Sequence, residues 1–297
     1  MQFRLCICIK WGMDKGVICM RHSVFLCILP AVLLLTGCHT ADCRCTVPLS
    51  PETICTAEDA SALLTEMLLH TEKCISFPMP EDDPDALIQH AAASHVLART
   101  MLKRVSWVRS GEMLTVQAEY AVPTDTLRRQ KQMLADAAAL WNHETSAEPD
   151  AVRVLLAHDQ LCRTCEYADE LPECHGAAGA LLLHRAACDG YAEAFALLME
   201  SAGIPVMIVT GVSADAEGHT ENHAWNLVQL AENWYHIDCT WDDSAVQPAH
   251  TYFLCNDDTM RLTHVWDTKK YPPAQGGGYR YETIVSDMAA KVRKDGF

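Results

Sequence analysis

The sequence predicts an α+β fold, and two observations carry that prediction. From Gly179 onward the chain reads as one helix followed by three strands, with the helix closed by Gly203 and Pro205. Before that, helical apolar spacing alternates with a pair of strand-like runs joined at Ser110-Gly111.

Each element has a local reason. Residues 57–72 place Leu63, Met67 and Leu68 at helical spacing. Pro78, Pro80 and Pro84 interrupt, and 85–102 is helical again. Residues 105–108 and 113–122 form the predicted hairpin, and 124–141 and 149–167 two further helices. In the second half, 189–201 is a helix and 206–212 a β-branched strand. A polar loop over 213–220 leads into a hairpin of 222–230 with 234–240. The organisation expected is a small α+β region over 57–147 and a larger domain over 148–297.

A chain of 297 residues with 49% hydrophobic and 21% charged residues is long and apolar enough for a real core. A formal charge of -16 with scattered Lys and Arg argues against a nucleic-acid partner. At the N-terminus, Met20-Arg-His-Ser23 is a short basic start before an apolar run from Val24 to Leu35. That length suits a signal-peptide core rather than a membrane span. Leu35-Thr-Gly-Cys38 resembles the bacterial lipobox, whose cysteine is lipidated. The expectation is a leader over 1–37, with Met20 as the true start, and a lipid on Cys38 anchoring an exported protein to the bacterial membrane. Residues 38–56, rich in Cys, Thr, Pro and Ser, read as a tether.

The chemistry-bearing residues lie between Cys188 and Asp243. Cys188 opens a helix, where unpaired N–H groups and the helix dipole favour a thiolate and can hold an oxyanion. Taken alone, a cysteine is more often a structural core residue. The hairpin changes the odds. If Ala231-Glu232 is a two-residue turn, Leu230 pairs with Asn233 and Trp225 lies opposite Asp238. His223 then shares a face with Asp238, diagonal to it at roughly 7 Å between backbones. A slip of one residue would separate them. Tyr191, Trp225 and Trp241 are candidates to line a substrate cleft.

The segments Cys188-Asp-Gly-Tyr-Ala-Glu-Ala-Phe, His223-Ala-Trp-Asn and Trp234-Tyr-His-Ile-Asp238-Cys-Thr-Trp-Asp-Asp resemble the transglutaminase-like superfamily, especially its bacterial extracellular members. Ala157-His158-Asp159, Tyr167, Tyr252-Phe-Leu254, His264 and Trp266 add flanking matches over roughly 150–268. The chain departs from the family pattern at Ala178, at His184-Arg185 and in its Ala-Glu turn. The resemblance implies a papain-like core, a cysteine-bearing helix packed on an antiparallel sheet. It also implies Cys188 as nucleophile, His223 as general base then acid, and Asp238 as its orienter. The reaction implied is acyl chemistry on a peptide, protein or cell-wall amide, with hydrolysis ranked slightly above amine transfer. The alternative is a surface binding or assembly module that keeps the fold with little turnover.

Cys162-x-x-Cys165 with Cys174-His175 offers metal-ligating residue types, and the related peptide N-glycanases hold zinc through Cys-x-x-Cys pairs. Only one pair is present here, and an exported setting favours disulfides or free thiols. No metal and no cofactor is expected. His158 and His264 are expected to be structural.

Overall fold

The computed structural model describes residues 4–7, 56–79, 83–243 and 247–294. Cys38, nearly all of the leader and the tether up to residue 55 lie outside the described residues. Among the described residues no helix is long and apolar enough to cross a membrane.

The first layer is a small α+β unit. Its elements are β1 (Arg4–Ile7), α1 (Ala57–Leu69), β2 (Cys74–Pro78), α2 (Pro84–Ala93), α3 (Val96–Arg99), β3 (Leu102–Ser110) and β4 (Met113–Tyr120). The antiparallel sheet runs β1-β3-β4-β2. Thr56 and Asp59 form a reciprocal capping box at the start of α1, their bonds 3.0 and 3.1 Å long. Pro84 opens α2 at the one position where its missing N–H costs nothing. Leu63, Met67, Ile75, Phe77, Leu114 and Val116 close a core between α1 and the sheet.

Two expectations are corrected here. The helix expected over 85–102 is two helices, because His95 turns extended and its Nδ1 accepts the Leu97 N–H at 3.0 Å, capping α3. The Cys74–Pro78 strand was not foreseen. Its two inward residues, Ile75 and Phe77, sit directly before the proline cluster, too few to show a period.

The second layer is the larger unit. α4 (Thr124–Thr145), α5 (Asp150–Thr164) and α6 (Cys188–Ala202) pack beside an antiparallel sheet. Its strands are β7 (Val206–Ala214), β8 (Thr220–Leu230), β9 (Asn233–Ile237), β10 (Phe253–Cys255) and β11 (His264–Trp266), ordered β10-β9-β8-β7-β11. A short parallel pair, β5 (Glu166–Tyr167) and β6 (Arg185–Ala186), leads the chain into α6. α7 (Cys239–Asp242), α8 (Asp257–Met260) and α9 (Tyr281–Lys294) complete it. This is the α+β arrangement of a cysteine-bearing helix on an antiparallel sheet.

Tyr191, Phe195 and Leu198 of α6 pack with Val228 and Ile237 of the sheet and Leu134 and Trp141 of α4. Each fully buried apolar side chain of this size contributes about 1.5–3 kcal/mol. Gly203 ends α6 in the left-handed region, φ 71°, as its position before Ile-Pro anticipates. The first layer is fastened to α6 through two carboxylates, buried Glu193 and half-buried Glu200. Glu193 accepts the Thr100 hydroxyl at 2.8 Å and the Ala177 N–H at 3.2 Å, and Glu200 accepts the Val96 N–H at 3.1 Å.

Candidate active site

The β8–β9 register decides which side chains meet. Leu230 pairs with Asn233 across Ala231-Glu232, and Asn226 with Ile237, so continuing the ladder brings Trp225 opposite Asp238. The turn lacks glycine, and Ala231 carries a positive φ of 53°. One detail differs from the expected hairpin. β9 stops at Ile237, and residues 239 and 240, expected to continue the strand, instead open α7. Asp238 caps that helix, its Oδ1 accepting the Trp241 N–H at 3.1 Å.

Asp238 Oδ2 also meets His223 Nε2 at 2.7 Å, with both residues buried. The same oxygen meets His264 Nε2 at 3.1 Å. An ionised carboxylate only accepts, so both histidines carry a proton on Nε2. His223 Nδ1 is then the ring nitrogen left for Cys188. Burial works against a charged imidazole at His223, but the Asp238 charge and hydrogen bond outweigh it, with Cys188 adding to them. The net effect raises His223 to about 10. Burial likewise works against a charged Asp238, yet the two facing histidines hold its carboxyl well below the usual range.

Cys188 is the first residue of α6 and is 7% exposed, packed with Ala192 and Ala224. Its turn is tight. A Cβ on Gly190 would lie 2.3 Å from the Cys174 carbonyl oxygen, so only glycine fits there. Burial pushes the Tyr167 phenol up to about 12, with the Cys188 charge adding to it.

The expected cleft residues divide. Tyr191 and Trp225 are 1% exposed and pack inside the protein instead of lining an open cleft. Tyr191 spends its hydroxyl on Asp243 at 2.6 Å, and Trp225 donates to His236 Nδ1 at 2.9 Å. Trp225 instead backs the His223 ring, stacked with centroids 6.0 Å apart. A Cβ on Gly211 would sit 2.8 Å from the Trp225 ring, so that glycine makes room for it. Trp241 is half-buried and flanks His223 at 6.1 Å.

His264 was expected to be structural, and the structure adds that it shares the triad carboxylate. Its cue in sequence was slight, since it lies on a three-residue edge strand 26 positions beyond Asp238. Cys162, Cys165 and Cys174 are all buried and free, and Cys165 lies against Tyr191.

Residues 139–239 match the model of the transglutaminase-like superfamily. The human (Homo sapiens) kyphoscoliosis peptidase is 33% identical over 85 residues, which is 26% of this chain and 13% of that relative. A solved structure described as a TGase shares 14% identity, covering 59% of this chain and 53% of that one at a TM-score of 0.32. The periplasmic domain of TgpA from Pseudomonas aeruginosa, bound to ethylmercury, shares 19%, covering 45% and 59% at 0.31. The chain thus spans a small part of the curated relative and little more than half of those two structures. The matched segment holds Cys188, His223 and Asp238 in order, and it is over this 139–239 core that the chain is similar to the transglutaminase-like superfamily.

Proposed function

We propose that the protein performs thiol-dependent acyl chemistry on amide bonds, with Cys188 as nucleophile, His223 as proton carrier and Asp238 as orienter. The observation that supports this most directly is the 2.7 Å bond from His223 Nε2 to buried Asp238, which leaves Nδ1 for a cysteine at a helix N-terminus. With its pKa near 10, His223 is an imidazolium at neutral pH, so the proton for the leaving amine is already in place. Cys188 Sγ adds to the carbonyl carbon, and the oxyanion forms beside the first turn of α6. The C–N bond then breaks as His223 delivers its proton to nitrogen, leaving a thioester. Water or an amine attacks that thioester while His223 takes back a proton, and Cys188 is released.

Water as acceptor makes the protein a peptidase, amidase or deamidase, and a primary amine makes it a transglutaminase. We rank hydrolysis first, and the name of the kyphoscoliosis peptidase agrees with it. We infer from the leader and the Cys38 lipidation expected from the sequence that the site faces outside the cytoplasm, against peptide, protein or cell-wall substrates. The test is labelling of the mature protein with a thiol-reactive probe, then turnover of a peptide library with and without an amine donor. Fast labelling that is lost in Cys188→Ala supports the reading. If Cys188 reacts no faster than an ordinary thiol and no amide is turned over, the protein is a binding module on this fold.

A further inference from the structure

Behind the triad lies a second set of buried groups that the acyl chemistry does not use. α5 presents His158 and Cys162 four residues apart on one face, and the start of α7 brings Cys239 against them. The ligand atoms of His158, Cys162 and Cys239 all lie within 4.8 Å of one another. Cys162 Sγ is 3.7 Å from His158 Nε2, and Asp242 Oδ2 is 3.3 Å from the same nitrogen. All four residues are buried.

We propose that His158, Cys162 and Cys239 form a three-ligand site for one thiophilic divalent cation, zinc by its ligand chemistry, with Asp242 beside the His158 nitrogen. Two sulfurs and an imidazole select such a cation over calcium or magnesium. With bonds of about 2.3 Å to sulfur and about 2.0–2.1 Å to nitrogen, a tetrahedron has N···S edges of roughly 3.5 Å. The separation of Cys162 Sγ from His158 Nε2 falls within a few tenths of an ångström of that edge. The surroundings are built as metal sites require. His158 Nδ1 meets Asp159 Oδ1 at 3.1 Å, and Asp159 is itself held by His250 Nε2 at 2.8 Å and Arg163 Nη2 at 2.7 Å. A carboxylate on Nδ1 fixes the tautomer that leaves Nε2 free to ligate. Asp242 is positioned by the N–H groups of Thr251 and Tyr252.

This set is not the one that the Cys-x-x-Cys spacing suggests, since only Cys162 of that group belongs to it. Its consequence is positional. Cys239 follows Asp238 directly, so the cation ties α5 to the segment that carries the triad carboxylate.

The test is a titration of the reduced, chelator-stripped full chain with Co²⁺ and then Zn²⁺, in the Cys188→Ala background so that the triad thiol does not contribute. One equivalent per chain is expected, with a thiolate-to-cobalt absorption band that zinc abolishes and a higher melting temperature with zinc. Cys162→Ser and Cys239→Ser each weaken binding at least ~10-fold, and Asp159→Asn weakens it about 10–100-fold. Cys165→Ser leaves binding unchanged. A cooperatively melting parent protein that shows no such band overturns the proposal, independently of whether any variant folds. So does a Cys162–Cys239 disulfide found by mass spectrometry of the unreduced protein.

Discussion

Asp238 and Asp242 stand four residues apart at the two ends of α7, and the clusters they anchor are built from the same residue types. Each carboxylate is buried and faces a buried histidine, Asp238 with His223 and Asp242 with His158. Each histidine adjoins a cysteine, Cys188 in one cluster and Cys162 in the other. The difference lies in where the thiol sits on its helix. Cys188 is the first residue of α6, where the N–H groups of the opening turn have no carbonyl within the helix. Cys162 lies in the last turn of α5, where its neighbours' N–H groups are spent on the helix itself. Only the first place can stabilise a tetrahedral oxyanion. A lowered thiol pKa would have pointed the other way, because a hydrogen bond with Cys239 pulls Cys162 down, helped by His158. On the proposed reading, the helix terminus, and not the contact of cysteine, histidine and aspartate, marks the nucleophilic centre.

The largest effect should come from Cys188→Ala. Loss of a triad nucleophile removes nearly all of the catalysis that the set performs together, and amide turnover should fall by roughly 10⁴-fold or more. The melting temperature should stay close to that of the parent. Retention of more than about a tenth of the activity would transfer the nucleophile to the other cluster and reverse the comparison.

Asp238→Asn comes next, with kcat expected to fall by about 10³–10⁴-fold because the amide no longer holds the imidazole in its working form. The pH profile sharpens this. The raised pKa of His223 keeps it protonated up to about 10, so kcat/KM should lose its alkaline limb only near pH 10. In Asp238→Asn that limb should move toward 6.5. The same interaction is a stability term. It is fully present below the unfolded pKa of 6.5 and is lost as pH rises through about 10. An unmoved limb in the variant would mean that Asp238 does not set the charge on His223.

The two clusters were unequally legible in the sequence. α6 was readable because Gly203 and Pro205 mark its end, and the pairing of His223 with Asp238 followed from counting a two-residue turn. The second cluster was not readable. Cys162 and Cys239 are 77 residues apart, and no periodicity links the last turn of one helix to the first residue of another. The same blindness hid the contact of His264 with Asp238. The break at His95 was missed for a different reason, since a histidine is not among the usual capping residues. The α9 helix was also unread, although its Ile284 closes part of the larger core.

The smallest predicted effect concerns a buried charge that has no carboxylate at hydrogen-bond distance. Lys131 on α4 is 5% exposed, its Nζ donates to the Leu68 carbonyl at 2.5 Å, and the Tyr120 ring lies 5.6 Å away. Burial pulls its amine down from 10.5 to about 7, with the Glu193 charge opposing only in part. The sign is the opposite of that for His223. Between pH 7 and 10.5 the unfolded chain binds more protons than the folded one, so stability rises with pH across that window. Below pH 7 the cost of burying the ammonium is present in full. Lys131→Met should therefore stabilise the protein by about 1–2 kcal/mol at pH 6, as replacing buried ionic groups with apolar ones often does. At pH 10 it should give no gain, or lose the hydrogen bond to Leu68, worth about 1 kcal/mol. Urea midpoints at the two pH values measure the difference. If the variant is equally destabilised at both, the ammonium is charged and well solvated where it sits. A facing carboxylate would then not be what makes buried charge tolerable at His223.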